Sequence, residues 1–167
     1  MIFRKIFVVA FGLLLLQGCF INSQKIKQQA VEMINRGNAA CVMVCANGEQ
    51  IIEQGRGLSP LLSIYEQHPD AMIGAIVVDK VIGRAAAMIL LEGKAAMVHG
   101  ILMSEDAYEL LWKKGVKTSY GELVPRILNP QRDGLCPLEQ SVEGITDPKQ
   151  AIEAIKQRIS ELSAQAH

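Results

Sequence analysis

With 167 residues, half of them apolar, the chain is long enough for one domain with a substantial core. Seventeen basic and seventeen acidic residues cancel, and no Lys/Arg cluster interleaves with aromatics, which excludes an electrostatic nucleic-acid binder. The spacings of zinc and calcium sites and of glycine-rich phosphate loops are missing too, so neither a metal nor a cofactor is expected.

At the N-terminus Arg4-Lys5 precede an apolar run from Ile6 to Leu16. At roughly 1.5 Å per residue the run reaches about 16 Å, half of a bilayer core, which is the layout of a secretory signal rather than a span. Leu16-Gln17-Gly18-Cys19 resembles the lipobox of bacterial lipoproteins, although Gln17 stands where that motif has a small residue. Residues 1–19 are thus expected to be a signal ending at a lipidated Cys19, giving a membrane-anchored, extracytoplasmic protein. The alternatives are a plain signal peptide or a mis-assigned start codon, the last leaving the protein cytoplasmic. Cys41, Cys45 and Cys136 then remain, an odd set without the spacing of a disulfide framework.

Residues 20–37 form an N-terminal linker and helix, with Ile26, Ala30, Met33 and Ile34 at helical spacing and Gly37 as the stop. Ala40 to Ala46 and Glu49 to Glu53, hinged on Asn47-Gly48, carry the strongest hairpin signal. A short helix from Leu58 to Gln67 has Pro60 in its first turn. Ile73 to Val78 is a strand of the buried type, followed by a helix from Val81 to Glu92 and a strand from Ala95 to Met103. Ser104 caps a helix running to Lys114, with Glu105 and Asp106 at its positive end. A strand from Val116 to Tyr120, a loop or helical turn at Leu123 to Asn129 and a brief helix from Pro137 to Glu143 follow. Residues 146–167 form a capped C-terminal helix from Asp147-Pro148, carrying Ile152, Ile155, Ile159 and Leu162 on one face. Strands alternating with helices after a hairpin predict an α/β fold whose mixed sheet is covered on both faces.

Asp79, at the expected strand-to-helix junction, is either a helix cap or a group that binds or deprotonates a ligand. Arg84 is a solvated charge or an anion clamp, and Arg56, between Gly55 and Gly57, is equally ambiguous. Cys136 before Pro137 reads as the cap of a helix whose positive end favours thiolate. Glu139 could reach back to the Cys136 N–H as a capping box. His99 sits mid-strand and reads as a core or pocket residue.

Arg56-Gly57-Leu58-Ser59-Pro60-Leu61-Leu62, then Asp79-Lys80 with Gly83-Arg84-Ala85-Ala86-Ala87, then Cys136-Pro137-Leu138-Glu139 together resemble an uncharacterised bacterial and archaeal domain of unknown function with a cytidine deaminase-like fold. The resemblance covers residues 38–145 and implies a three-layer α/β/α sandwich. Zinc deaminases hold their ion with His/Cys-Ala-Glu and Pro-Cys-x-x-Cys at two helix starts. Those positions would fall near Gly83-Arg84-Ala85-Ala86 and Ser104-Glu105-Asp106-Ala107-Tyr108, which lack the ligand set. The resemblance implies site residues Asp79, Arg84, Cys136 and Glu139, with Lys80 and Arg56 as further ligand-binding cations. The leading expectation is a deaminase-like protein that has lost the metal and binds a small polar or anionic ligand. A metal-independent enzyme is the alternative, with Cys136 as nucleophile or sulfur carrier and Asp79 or Glu139 moving protons. A third is an assembly domain in which a sheet edge or outer helix mediates homo-oligomerisation.

Overall fold

The computed structural model describes residues 22–165. The leader and Cys19, and with them the expected lipid anchor, lie outside the described residues; no described helix is long and apolar enough to cross a membrane. Helix α1 (residues 22–35) ends before Gly37, whose φ of +76° turns the chain. Strands β1 (Cys41–Val44) and β2 (Gln50–Glu53) form the expected antiparallel hairpin, with Gly48 at φ +89° and the Glu49 N–H donated to Asn47 Oδ1 at 2.9 Å. Helix α2 (Ser59–Gln67) leads into a 3-10 turn at Pro69–Met72 that the sequence pattern did not suggest. Strand β3 (Ile76–Ile82), helix α3 (Arg84–Glu92), strand β4 (Met97–Ser104), helix α4 (Glu105–Lys113) and strand β5 (Lys117–Val124) then alternate. A loop, the one-turn helix α5 (Pro137–Ser141) and the long helix α6 (Pro148–Gln165) complete the described chain.

The five strands lie in the order β2-β1-β3-β4-β5, with β1 antiparallel to both neighbours and β3, β4 and β5 parallel. The fold is α/β with a mixed sheet. On one face Val42, Val44 and Val78 pack with Ala30 and Ile34 of α1. On the other, Cys41, Met43, Val77 and Val98 share a core with Leu61, Leu90, Leu111 and Ile155 from α2, α3, α4 and α6. Ala85, Ala86 and Ala87 are all buried, small residues that let α3 lie close to the sheet. Lys156 of α6 pairs with Glu66 of α2 at 2.9 Å.

Strands β3 and β4 depart from simple alternation, and β5 follows them where its ladder with β4 skips Gly121. Period two would send Ile82 and Met103 to the α1 face, yet both join the opposite core with Val77 and Val98. The pleat therefore slips by one residue near Lys80 in β3 and near Ile101 in β4. In β3 the device is Asp79, whose Oδ1 accepts the Val81 N–H at 3.0 Å, a local bond that competes with the regular ladder. In β4 it is Gly100, where a Cβ would stand 2.8 Å from the Leu102 carbonyl oxygen. Strand β3 consequently runs four residues beyond the expected end at Val78, and β5 runs to Val124 rather than Tyr120.

Candidate functional site

The C-terminal ends of β3, β4 and β5 deliver the starts of α3 and α4 to one end of the sheet, the usual ligand position in open α/β folds. An open cleft of about 640 Å³ lies there, bounded by Arg84, Ser104, the first turn of α4, Leu123, Pro125 to Ile127, Leu135, Glu139 and Glu143. The two helix starts are finished differently. Ser104 caps its own helix, its Oγ accepting the Ala107 N–H at 3.2 Å. Helix α3 begins after Gly83, which has no side chain to offer. Its acceptor comes from Glu139: Oε2 takes the Arg84 N–H at 2.8 Å and Oε1 the Ala85 N–H at 3.0 Å.

A carboxylate at that position satisfies two orphan donors and sits at the positive end of the helix dipole. Gly83 makes it possible, since any Cβ there would overlap the Glu139 carboxylate. Burial pushes the Glu139 carboxyl above its ordinary range, while the amide donors of Ala85 and Arg84 pull it back. The Arg84 guanidinium turns to Asp106, reaching both carboxylate oxygens from Nη1 at 3.0 and 3.1 Å, and Nη2 donates to the Ile145 carbonyl at 2.8 Å. Its Nε is buried and has no partner among the described residues. The clamp thus ties α3, α4 and the segment leading to α6 together.

Of the expected site residues, Arg84 and Glu139 line this cleft and the other four do not. Asp79 is 5% exposed inside β3, not at a helix start, and faces Cys41 across the β1–β3 pair. It caps no helix and is not part of the cleft lining. Burial raises its carboxyl to about 6 and, with the neighbouring Asp79 charge, raises the Cys41 thiol as well. Lys80 is exposed on the neighbouring position of β3, and Arg56 is exposed in the loop before α2; neither belongs to the lining. Cys136 is the residue before α5, as expected, but its N–H goes to the Ile127 carbonyl at 3.0 Å, so Glu139 does not form a capping box with it. Its half-buried thiol has no hydrogen-bonding base among the described residues, and the lining passes from Leu135 to Glu139 without it. His99 is buried and hydrogen-bonds Ser119 across β4 and β5 at 2.9 Å; burial, then the Lys27 charge, lowers its pKa.

The sequence reading missed Asp106 as the partner of Arg84, and Tyr108, Arg126 and Glu143 as cleft residues. The signal for Asp106 was present: in a parallel sheet successive helix starts lie side by side, so acids in the first turn of α4 should be weighed against cations in the first turn of α3. Among the described residues no three His, Cys, Asp or Glu side chains come together as metal ligands would.

The family model described as TM1506, domain of unknown function (DUF1893), matches residues 29–159. The chain is similar to the crystal structure of a DUF1893 family protein from Thermotoga maritima, with 27% identity and a TM-score of 0.67 over 80% of this chain and 88% of that one. No curated protein matches it.

Proposed function

The chain belongs to the DUF1893 family, and from that premise we propose that it is a binding protein for a small, positively charged or amine-bearing molecule, held in the cleft beside α3 and α4. The observation that carries this reading is the charge of the lining. Five carboxylates (Glu105, Asp106, Glu109, Glu139 and Glu143) line the cleft with two guanidinium groups. Once Asp106 is paired with Arg84, Glu109 with Lys113 and Glu139 with the α3 amides, Glu105 and Glu143 are left facing Arg126 alone, an acidic excess. This revises the anionic ligand expected from the sequence, because Glu139 takes the helix-end position where an anion would sit. Leu123, Ile127 and Leu135 provide an apolar wall for the body of the molecule, and the acids orient its head.

In this reading the scaffold is that of a cytidine deaminase-like domain without its metal. What supports it is the mixed sheet order with an antiparallel β1 and the two helix starts at one end. A scaffold does not carry its chemistry with it. The same reading places the mature protein at a membrane through an acylated Cys19, which mass spectrometry of the natural N-terminus checks directly.

The experiment is a thermal-shift panel on the full chain in detergent micelles, using matched cationic, neutral and anionic small molecules of one aromatic skeleton. Cationic members should raise the midpoint by about 5 °C or more near a hundredfold excess over Kd. Glu143→Lys should abolish the shift. Anionic members giving the larger shift would refute the reading.

A further inference from the structure

Two strands terminate the sheet, and they are unlike. β2 has four residues, whereas β5 has eight and pairs with nothing beyond β4 among the described residues. Lys117 donates its N–H inward to the Ala96 carbonyl at 3.1 Å, so strand alternation turns the backbone groups of Thr118 and Tyr120 outward. A long open edge is a template for another strand unless something blunts it. No proline interrupts β5, whose pairing with β4 is regular from Lys117 to Tyr120 before it skips Gly121, and its two charges are of opposite sign, Lys117 at the start and Glu122 near the end.

Helix α4 repeats that polarity. As a crossover between parallel strands it runs antiparallel to β5, which puts Glu105 at the Glu122 end and Lys114 at the Lys117 end. Glu109 and Lys113 satisfy each other at 3.0 Å. Between the two charged ends lie aromatics: Trp112 is 65% exposed, Tyr120 is 41% exposed, and the Tyr120 ring meets that of Tyr108 edge-on at 5.4 Å. Trp112 stands four residues from Tyr108, on the flank turned away from the Asp106 contact with α3. An open edge, an exposed Tyr120 midway along it, Trp112 beside its basic end and opposite charges at its two ends form a self-complementary surface.

We propose that this edge receives a second copy of the chain, β5 against β5 in antiparallel pairing about a two-fold axis. The axis reverses the polarity, so Lys114 and Lys117 of one copy face Glu105 and Glu122 of the other, while the two Tyr120 positions meet near the axis. A surface of one sign would repel its own copy; this one attracts it.

Sedimentation velocity of the full chain in detergent micelles tests the pairing. The wild-type chain should dimerise, more weakly in about 0.5 M salt. The all-acidic edge variant K114E/K117E and the all-basic edge variant E105K/E122K should each lose about tenfold or more in self-association while keeping the wild-type circular dichroism. Mixing the two should restore a heterodimer, because every contact across the axis is again of opposite sign. A wild-type chain monomeric at all concentrations, an association indifferent to both variants, or a mixture that fails to pair would each overturn the proposal.

Discussion

The β3-to-α3 and β4-to-α4 junctions are topological twins: neighbouring parallel strands, each passing directly into a nine-residue helix at the same end of the sheet. One is finished by its own residue, Ser104, three positions from the amide it caps. The other is finished by Glu139, which lies 55 residues from Arg84. The strands that feed them differ in the same sense. β3 slips its pleat with a buried acid, and β4 with the absence of a side chain at Gly100. The α4 side is built from local chemistry, and the α3 side from groups that must be brought together. The second kind of junction depends on remote residues, and is where damage should spread furthest.

The sharpest way to break the contrast is Gly83→Val. Its Cβ would displace the Glu139 carboxylate and leave two buried helix amides without an acceptor, costing about 4 kcal/mol in urea denaturation. A double mutant with Glu139→Gln should be far from additive, since both changes remove the same bonds.

Next in size is the pH dependence set by Asp79. Its folded-state carboxyl is raised from 3.8 to about 6, so the folded protein binds this proton more tightly than the unfolded chain. That stabilisation is fully present below about pH 4 and is lost as pH rises through about 6, amounting to about 3 kcal/mol at 1.36 kcal/mol per unit. Asp79→Asn keeps an acceptor for the Val81 N–H and should remove that decline from a plot of unfolding free energy against pH. Burial raises Glu139 in the same direction, so some slope should survive the substitution.

Glu139→Gln alone should cost about 1.5 kcal/mol, because its single amide oxygen replaces a charged fork that served two donors. Ser104→Ala should cost about 1 kcal/mol, the ordinary loss of one local cap. Equal losses at the two junctions in the same denaturation series would erase the distinction between them.

Much of the scaffold could be read along the chain because its signals are local. Asn47-Gly48 marked the hairpin, Ser104 the start of α4, and Asp147-Pro148 the start of α6, whose Asp147 Oδ1 accepts the Gln150 N–H at 2.9 Å. The end of β3 was misread because Asp79 and Lys80 are residues that strands disfavour. Their cost is met by features the local pattern does not show: a neighbouring strand with glycine at the matching position, and a backbone donor two residues on. The cleft was half legible. Glycine and alanine around Arg84 announced a close approach, but not what approached. Glu139 looked like part of its own short helix because its true partners are remote in sequence. Cys136 drew notice for its place before Pro137, and its backbone rather than its thiol turns out to hold the loop.

Glu139 also sets an order of events during synthesis. The chain leaves the ribosome N-terminus first, so Arg84 and Ala85 emerge 55 and 54 residues ahead of the carboxylate that will hold them. At about 5–20 residues per second that is a wait of roughly 3–11 s. Throughout it the nascent sheet end carries two bare amides at its most electropositive point, and the fold closes there only once translation of the α5 segment is done.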